Sequence, residues 1–371
     1  MRTSVAHLST VHGSNDVRIF HKECKSLVGA GYETYFVVKA ESSGVREGVK
    51  IIALPKPRSR FERFTRLIWL AYSRALATGA DLYHIHDPEL IPLGIVFKVR
   101  GKRVIWDAHE DVPKQILSKQ WIPRPLRKPI ALVVDLLERW STKIFDGVIA
   151  ATPSIAKRFP GRRTVVVQNF PKLDELVQEC PSRYRERANR ILYIGGISKT
   201  RGLIELLDAL VIVNEKIPAK LDLAGVFSDE ELLKTAKLHP GWRFVNFHGW
   251  LSREEVLELL CKVKIGTVTL HATPNHIESY PTKMFEYMAA GLPVVASDFP
   301  LWRDILGREQ RGVLVNPEDP NMIAQAFIDI LEDPEKAEKM GLSGKKAIAD
   351  HYNWGVEEEK LLALYEEVIA K

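Results

Sequence analysis

IGTVTLHATPNHIESYPTKMFEYMAAGLPVVAS, residues 265–297, alternates between two kinds of periodicity. Ile265–Thr269 and Val294–Ala296 are short apolar runs of strand type, and Met284–Ala290 repeats its apolar residues at helical spacing. Two such strands joined through a helix run parallel, because parallel pairing needs a crossover longer than a hairpin turn. Pro281 suits the first position of the helix, with Ser279 or Tyr280 at its entry. Glu278 then lies on the loop ahead of the helix and Glu286 in its second turn. The free N–H groups around Thr282 and Lys283, at the positive end of the helix, make an anion site between these two carboxylates. A ligand with hydroxyls on both sides of a diphosphate fits such a site, and a nucleotide sugar is that ligand.

The same rhythm extends through most of the chain. Upstream in the second half, strands are expected at Ile191–Ile194, Leu221–Ala224 and Arg243–Asn246, with helices at Leu203–Lys216, Asp229–His239 and Glu254–Val263. The first half has strands at Ser4–Leu8, Thr34–Val38, Ile51–Leu54, Leu82–Ile85, Val104–Trp106, Val148–Ala151 and Val165–Val167. Its helical patterns are Val17–Ala30, Phe61–Thr78, Leu90–Arg100 and Leu126–Phe145. Two α/β runs in 371 residues, at roughly 150 residues per domain, predict two doubly wound, Rossmann-like domains. The join falls between Asn169 and Asn189. The expected division is 1–170, with a last helix over 355–371 crossing back to it, and 171–354. Ligands bind beyond the carboxyl ends of such strands, so the expected active site is a cleft between the two sheets.

Charge is segregated. Residues 1–170 hold 28 Lys/Arg against 15 Asp/Glu, and 171–371 hold 25 against 32. A basic first half suits an anionic surface or acceptor. Two stretches mix cations with aromatics, Arg58–Trp69 and Lys119–Lys128, as reversible membrane-binding elements do. The three cysteines, Cys24, Cys180 and Cys261, are odd in number and far apart, so no disulfide framework is expected and a reducing compartment is. Met1–Val11 is too short and polar for a signal peptide, and no run approaches a membrane span. These features predict a cytoplasmic protein, peripheral on the inner face of the membrane.

Several motifs, taken in order, resemble the retaining GT-B glycosyltransferases of family 4. Glu278, seven residues, Glu286 and then Ala289-Ala290-Gly291-Leu292-Pro293 is similar to that family's signature. Ile194–Gly202 resembles its Gly-Arg…Lys-Gly loop, Val166–Asn169 its Asn before the linker, and His84–Pro88 and Asp107–Glu110 its two His-containing strand ends. The resemblance implies a GT-B fold and sugar transfer from a nucleotide diphosphate sugar to a glycan or lipid-linked glycan, with retention of configuration. It implies that Glu278 contacts hydroxyls of the donor sugar, that Glu286 holds the ribose, and that His109 faces the sugar near the anomeric carbon. Arg201 takes the place of the family lysine at the diphosphate, where a guanidinium fork can hold two oxygens. The family arginine after the first glycine is Gly196 here; Lys199, or close backbone approach at Gly195 and Gly196, is expected to compensate.

Gly13, on the loop after the first strand, and His86 and Glu110 are further acceptor or loop candidates, while Asp16 is expected to cap the first helix. His84 and His86 share one strand face, without a third ligand at metal-binding spacing. With no Asp-x-Asp pair in the chain, no metal and no cofactor are expected, and cations must meet the leaving diphosphate. A GT-B epimerase and a non-enzymatic protein binding nucleotide sugar or nucleic acid are the alternatives. No nucleic-acid-binding module is present, and no Gly-x-Gly-x-x-Gly supports a dehydrogenase.

Overall fold

The computed structural model describes residues 2–119, 122–161, 163–175, 180 and 182–370. The chain divides into two units, Met1–Asn169 with Trp354–Lys371, and Phe170–Asn353.

The first unit is built on eight strands: β1 (Ser4–Gly13), β2 (Glu33–Lys39), β3 (Gly44–Arg46), β4 (Val49–Leu54), β5 (Leu82–Ile85), β6 (Arg103–Ala108), β7 (Gly147–Ala150) and β8 (Thr164–Val166). Their order is β3-β4-β2-β1-β5-β6-β7-β8. Every neighbouring pair is parallel except β3 with β4. The inner strands place apolar residues on both of their faces because both faces are covered. Alternate residues of one face, Ala6, Leu8, Tyr83, Ile85 and Trp106, share a core with Phe97 and Phe145. Val5, Leu82, Ile105 and Ile149 face the other way and pack on Trp354, Leu361, Leu364 and Tyr365 of the helix Trp354–Ile369. That helix is further tied by Trp354 Nε1 donating to Ser26 Oγ at 2.9 Å and by Glu357 accepting from the Gln168 amide at 2.8 Å.

The β3–β4 hairpin was not legible in the sequence. Its turn uses the left-handed region at Glu47 (φ 47°) and Gly48 (φ 80°). A Cβ at Gly48 would lie 2.6 Å from Val28 Cγ1, so glycine is required there both for conformation and for space.

The second unit is a six-stranded, all-parallel sheet of β9 (Arg190–Ile194), β10 (Lys220–Ala224), β11 (Val245–Gly249), β12 (Ile265–Val268), β13 (Val294–Ser297) and β14 (Gly312–Val315), in the order β11-β10-β9-β12-β13-β14. Leu203–Lys216 packs on Pro320–Glu332, and Thr282–Ala289 on Pro334–Asp350. Neither β14 nor the helices Pro320–Glu332 and Pro334–Asp350 were read from the sequence.

Three sequence expectations need correction. The strand expected at Arg243–Asn246 starts at Val245, because Pro240 opens a 3₁₀ turn through Phe244. Pro281 is the N-cap rather than the first helical residue, its backbone being extended (φ −70°, ψ 117°), and the helix begins at Thr282. Cys180 and Cys261 form a disulfide across 81 residues of sequence, with Cα atoms 5.2 Å apart. Tertiary folding, not sequence spacing, places these cysteines together, and the compartment inferred from cysteine usage loses its basis. Cys24 is free and buried.

Candidate active site

In the second unit the strand order reverses between β9 and β12, and ligands of parallel sheets bind beyond the carboxyl ends at such a reversal. A cavity of about 550 Å³ opens there. Gly195, Gly196 and Arg201 line it from the loop after β9, Gly225 and Val226 from the end of β10, and Trp250, Ser252 and Arg253 from the end of β11. Thr282, Lys283 and Glu286 close it from the helix that follows β12.

The floor is bare backbone. Gly225 has φ +150°, and a Cβ there would fall 1.9 Å from the Gly195 carbonyl oxygen. Arg201 Nη1 donates to the Gly196 carbonyl at 3.1 Å, and a Cβ on Gly196 would lie 3.2 Å from that nitrogen. The glycine standing where the family carries arginine therefore makes room for the Arg201 guanidinium.

Lys283 is the unusual group. Its ammonium is buried and has no hydrogen-bond partner among the described residues. It stands 3.7 Å from the centroid of the Tyr193 ring. Burial first, and then the neighbouring Arg201 charge, push its pKa down to about 7, with Glu286 opposing them. A desolvated cation on a cavity wall lacks an anion, and an anion that binds there restores its charge. Beside it the helix Thr282–Ala289 begins without a side-chain cap, so its first N–H groups add to the attraction for negative charge. Glu286 does not stand alone: its Oε1 pairs with Arg253 Nη1 at 2.5 Å, and Arg253 Nη2 also donates to the Glu175 carbonyl at 2.8 Å.

Of the residues singled out from sequence, Gly195, Gly196, Arg201, Thr282, Lys283 and Glu286 line one cavity. Lys199 is exposed and lies outside that lining. So does Glu278, which is exposed and ends the short helix Pro274–Ile277. Ser279 Oγ donates to the His276 carbonyl, and the Tyr280 ring packs on Phe170 and Phe285, so both hold the helix entry. Arg253 and Trp250 were missed because the loop that carries them bears no phosphate-binding sequence pattern.

The first unit also gathers polar groups at the carboxyl ends of its strands. Asp107, buried at the end of β6, binds Arg18 through two oxygens at 3.0 and 2.8 Å and accepts from His86 Nδ1 at 3.2 Å. Its Oδ2 is 3.4 Å from His109 Nδ1. Burial opposes charge on His109, but the Asp107 carboxylate outweighs it and raises the pKa to about 9. His109 is thus a cation at neutral pH, and its Nε2 lies 3.2 Å from His12 Nε2. His12 Nδ1 is held by Asp16 at 2.8 Å. Asp16 also caps the first helical turn, accepting from the Arg18 and Ile19 amides at 2.9 and 2.8 Å. Asp87 pins the loop after β1 by accepting from the Ser9 hydroxyl and the Thr10 and Val11 amides. Gly13 ends β1 with open space where a side chain would stand, and Glu110 is exposed. His86 is a correction. It is fully buried, bridging Asp107 and His7 Nδ1, and cannot touch an acceptor.

Comparison with known proteins adds to this geometry. The family model Glycosyltransferase Family 4 matches residues 17–170, and Glycosyl transferases group 1 matches residues 178–347. A phosphatidyl-myo-inositol mannosyltransferase of Mycobacterium tuberculosis is 27% identical over 316 residues, covering 81% of this chain and 76% of its own. A glycogen synthase of the same organism is 26% identical over 237 residues, 63% of this chain and 56% of its own. Among solved structures, a sucrose-phosphate synthase from Thermosynechococcus elongatus superposes over 100% of both chains with TM-score 0.74 at 21% identity. The Anabaena protein HepE in complex with UDP does so over 99% of this chain and 100% of its own, with TM-score 0.72 at 14% identity. Both share the two-sheet GT-B fold.

Proposed function

The chain belongs to glycosyltransferase family 4, and on that footing we propose that it is a retaining hexosyltransferase acting on a glycan or lipid-linked glycan. It is a glycosyltransferase that draws its sugar from a nucleotide sugar. The single observation that carries the donor assignment is the buried Lys283 ammonium, without a hydrogen-bond partner among the described residues, beside Arg201 at an uncapped helix start. These cations and amide N–H groups receive the diphosphate, and as it leaves they stabilise the charge that accumulates on it, with no divalent ion needed at that point. The bare backbone at Gly195, Gly196 and Gly225 lets phosphate oxygens approach closely. Glu286, oriented by Arg253, accepts from the ribose hydroxyls, and Trp250 offers an exposed ring to the base. His109 and Glu278 handle the transferred sugar, an assignment that rests on the family motif they match.

A thermal-shift screen of nucleotide sugars tests this, since a ligand bound only by the native state raises the melting temperature. A nucleoside diphosphate is expected to stabilise the protein more than its monophosphate or nucleoside does. Arg201→Ala should weaken diphosphate binding about 10–100-fold, as loss of a charge-assisted hydrogen bond does, with bare nucleoside little affected. Glu286→Ala should weaken both alike. Equal losses across all ligands in Arg201→Ala would remove the diphosphate role from that side chain.

An anionic membrane is the proposed setting for a lipid-linked acceptor. No helix among the described residues is long and apolar enough to cross a membrane. The helix Arg124–Ser141 nevertheless exposes Leu126, Leu132, Val133, Leu136 and Trp140, with Arg124, Lys128 and Arg139 beside them. Phe61, Phe64 and Trp69 are exposed near Arg63 and Arg66. Exposed apolar stripes bordered by cations suit an anionic lipid surface. Of the Lys119–Lys128 segment, Gln120 and Trp121 lie outside the described residues. The protein is expected to co-sediment with vesicles containing phosphatidylglycerol but not with pure phosphatidylcholine. Replacing Arg63, Arg66, Arg127 and Lys128 together should abolish that difference, and equal sedimentation with both lipids would count against electrostatic docking.

A further inference from the structure

We propose that the first unit holds one buried, tetrahedral transition-metal ion, of zinc type, among His7, Glu23, His84 and His86. Parallel pairing of β1 with β5 sets His7 opposite His84 in register, and His86 follows on the same face. The first helical turn, Ile19–Cys24, lays Glu23 over them. All four residues are fully buried.

The distances describe a common centre. Glu23 Oε2 lies 4.0 Å from His7 Nδ1, 3.9 Å from His84 Nδ1 and 3.8 Å from His86 Nε2. These separations are too long for hydrogen bonds, and Oε2 has no hydrogen-bond partner among the described residues. Arg18 approaches only the other oxygen, at 3.1 Å. The four potential ligand atoms all lie within 4.8 Å of one another. Ligands of a tetrahedral ion at 2.0–2.1 Å stand about 3.3 Å apart, within the spread seen here. A buried carboxylate oxygen without a donor is costly, and an ion at the centre supplies the missing partner.

Two of the three histidines have, on the nitrogen turned away from the centre, a partner of the kind that orients metal-bound imidazoles, while His84 Nε2 has none among the described residues. His86 Nδ1 donates to Asp107, itself fixed by Arg18, which leaves Nε2 directed at the centre. His7 Nε2 faces the Tyr365 hydroxyl at 3.4 Å. His7 Nδ1 and His86 Nε2 are 2.9 Å apart, so in the ion-free form one proton sits between them on His7 Nδ1. Binding moves that proton to His7 Nε2, toward Tyr365, and the proton that burial holds on the Glu23 carboxyl leaves to solvent as the carboxylate takes the ion. Tyr365 then exchanges its 2.7 Å bond to His84 Nδ1 for a bond accepted from His7. Three imidazoles and one carboxylate select zinc or a neighbouring transition metal over magnesium or calcium, which prefer an all-oxygen shell. With four protein ligands and no exposure the ion is structural: it joins β1, β5 and the first helix behind the His109 loop. This site is independent of the donor cavity and of the sugar-transfer assignment.

The test is the metal content of full-length, untagged protein expressed with zinc and assayed by plasma mass spectrometry. About one zinc per chain is expected, as for a closed structural site, and protein grown on cobalt should show the intense visible absorption of tetrahedral Co(II). Glu23→Gln, a near-isostere chosen to preserve packing, should lower bound metal at least about tenfold and abolish the cobalt spectrum, as removal of a ligand requires. His84→Asn should do the same where circular dichroism shows it folded. Wild-type protein that is folded and metal-free, including after zinc addition during refolding, would overturn the proposal. So would a full equivalent of metal with an unchanged cobalt spectrum in Glu23→Gln.

Discussion

The Lys283→Met enzyme is expected to transfer sugar roughly 10²–10³-fold more slowly than wild type, the range for deleting one preorganised charge-stabilising donor. Steady-state kcat/KM measures the loss. The fold should survive, because methionine matches the lysine stem and removes a buried cation that the native state holds at a cost. The pH dependence separates this role from a packing role. Lys283 titrates at about 7 without ligand, whereas an ordinary lysine titrates at about 10.4. Bound diphosphate favours the charged form, so the site must take up a proton to bind above pH 7. Diphosphate affinity therefore falls as pH rises from 7 to 9, and calorimetry in buffers of different ionisation heat should register proton uptake. In Lys283→Met both effects should vanish. The stability sign is opposite: between pH 7 and about 10.4 the unfolded chain binds the extra proton, so Lys283 makes stability rise with pH over that window. A variant with wild-type kcat/KM and a wild-type pH profile would remove Lys283 from the site.

The second large effect is on stability. Asp107→Asn leaves the buried Arg18 guanidinium without the carboxylate it binds at two points. Arg18 retains Glu23 at 3.1 Å and the Val167 carbonyl at 2.9 Å, but the charge balance is broken. Removing one partner of a buried ion pair costs about 3–5 kcal/mol. Urea denaturation of the full chain, followed by probes in each unit because two units need not unfold together, should place this loss in the first unit. A change below about 1 kcal/mol, the level of an exposed pair, would show that Arg18 is solvated rather than locked.

What the sequence made legible is what local chemistry dictates. The strand–helix alternation of Ile191–Ser297 is written in apolar periodicity, and the glycines of the donor loop and the Glu278–Glu286 spacing are contiguous motifs. The helices Pro320–Glu332 and Pro334–Asp350 are equally regular but follow the last recognisable motif, and of the helices in that stretch only the terminal one was legible. The rest depends on which strands become neighbours. Pairing of β1 with β5 brings His7 to His84, which no spacing in the chain encodes. Cys180 meets Cys261 for the same reason. Arg253 became a partner of Glu286 only through the sheet order that sets β11, β10 and β9 side by side. Burial is the other invisible quantity: Lys283 and His86 look like surface residues in the sequence, and the fold encloses both.

A crystal structure of the protein with a nucleoside diphosphate is the most direct test of the donor site. The diphosphate should lie in the second-unit cavity, with Lys283 Nζ and the Arg201 guanidinium within hydrogen-bonding distance of its oxygens and the ribose hydroxyls on Glu286. Nucleotide bound elsewhere, or bound there with the Lys283 ammonium still against Tyr193 and no phosphate contact, would contradict the account.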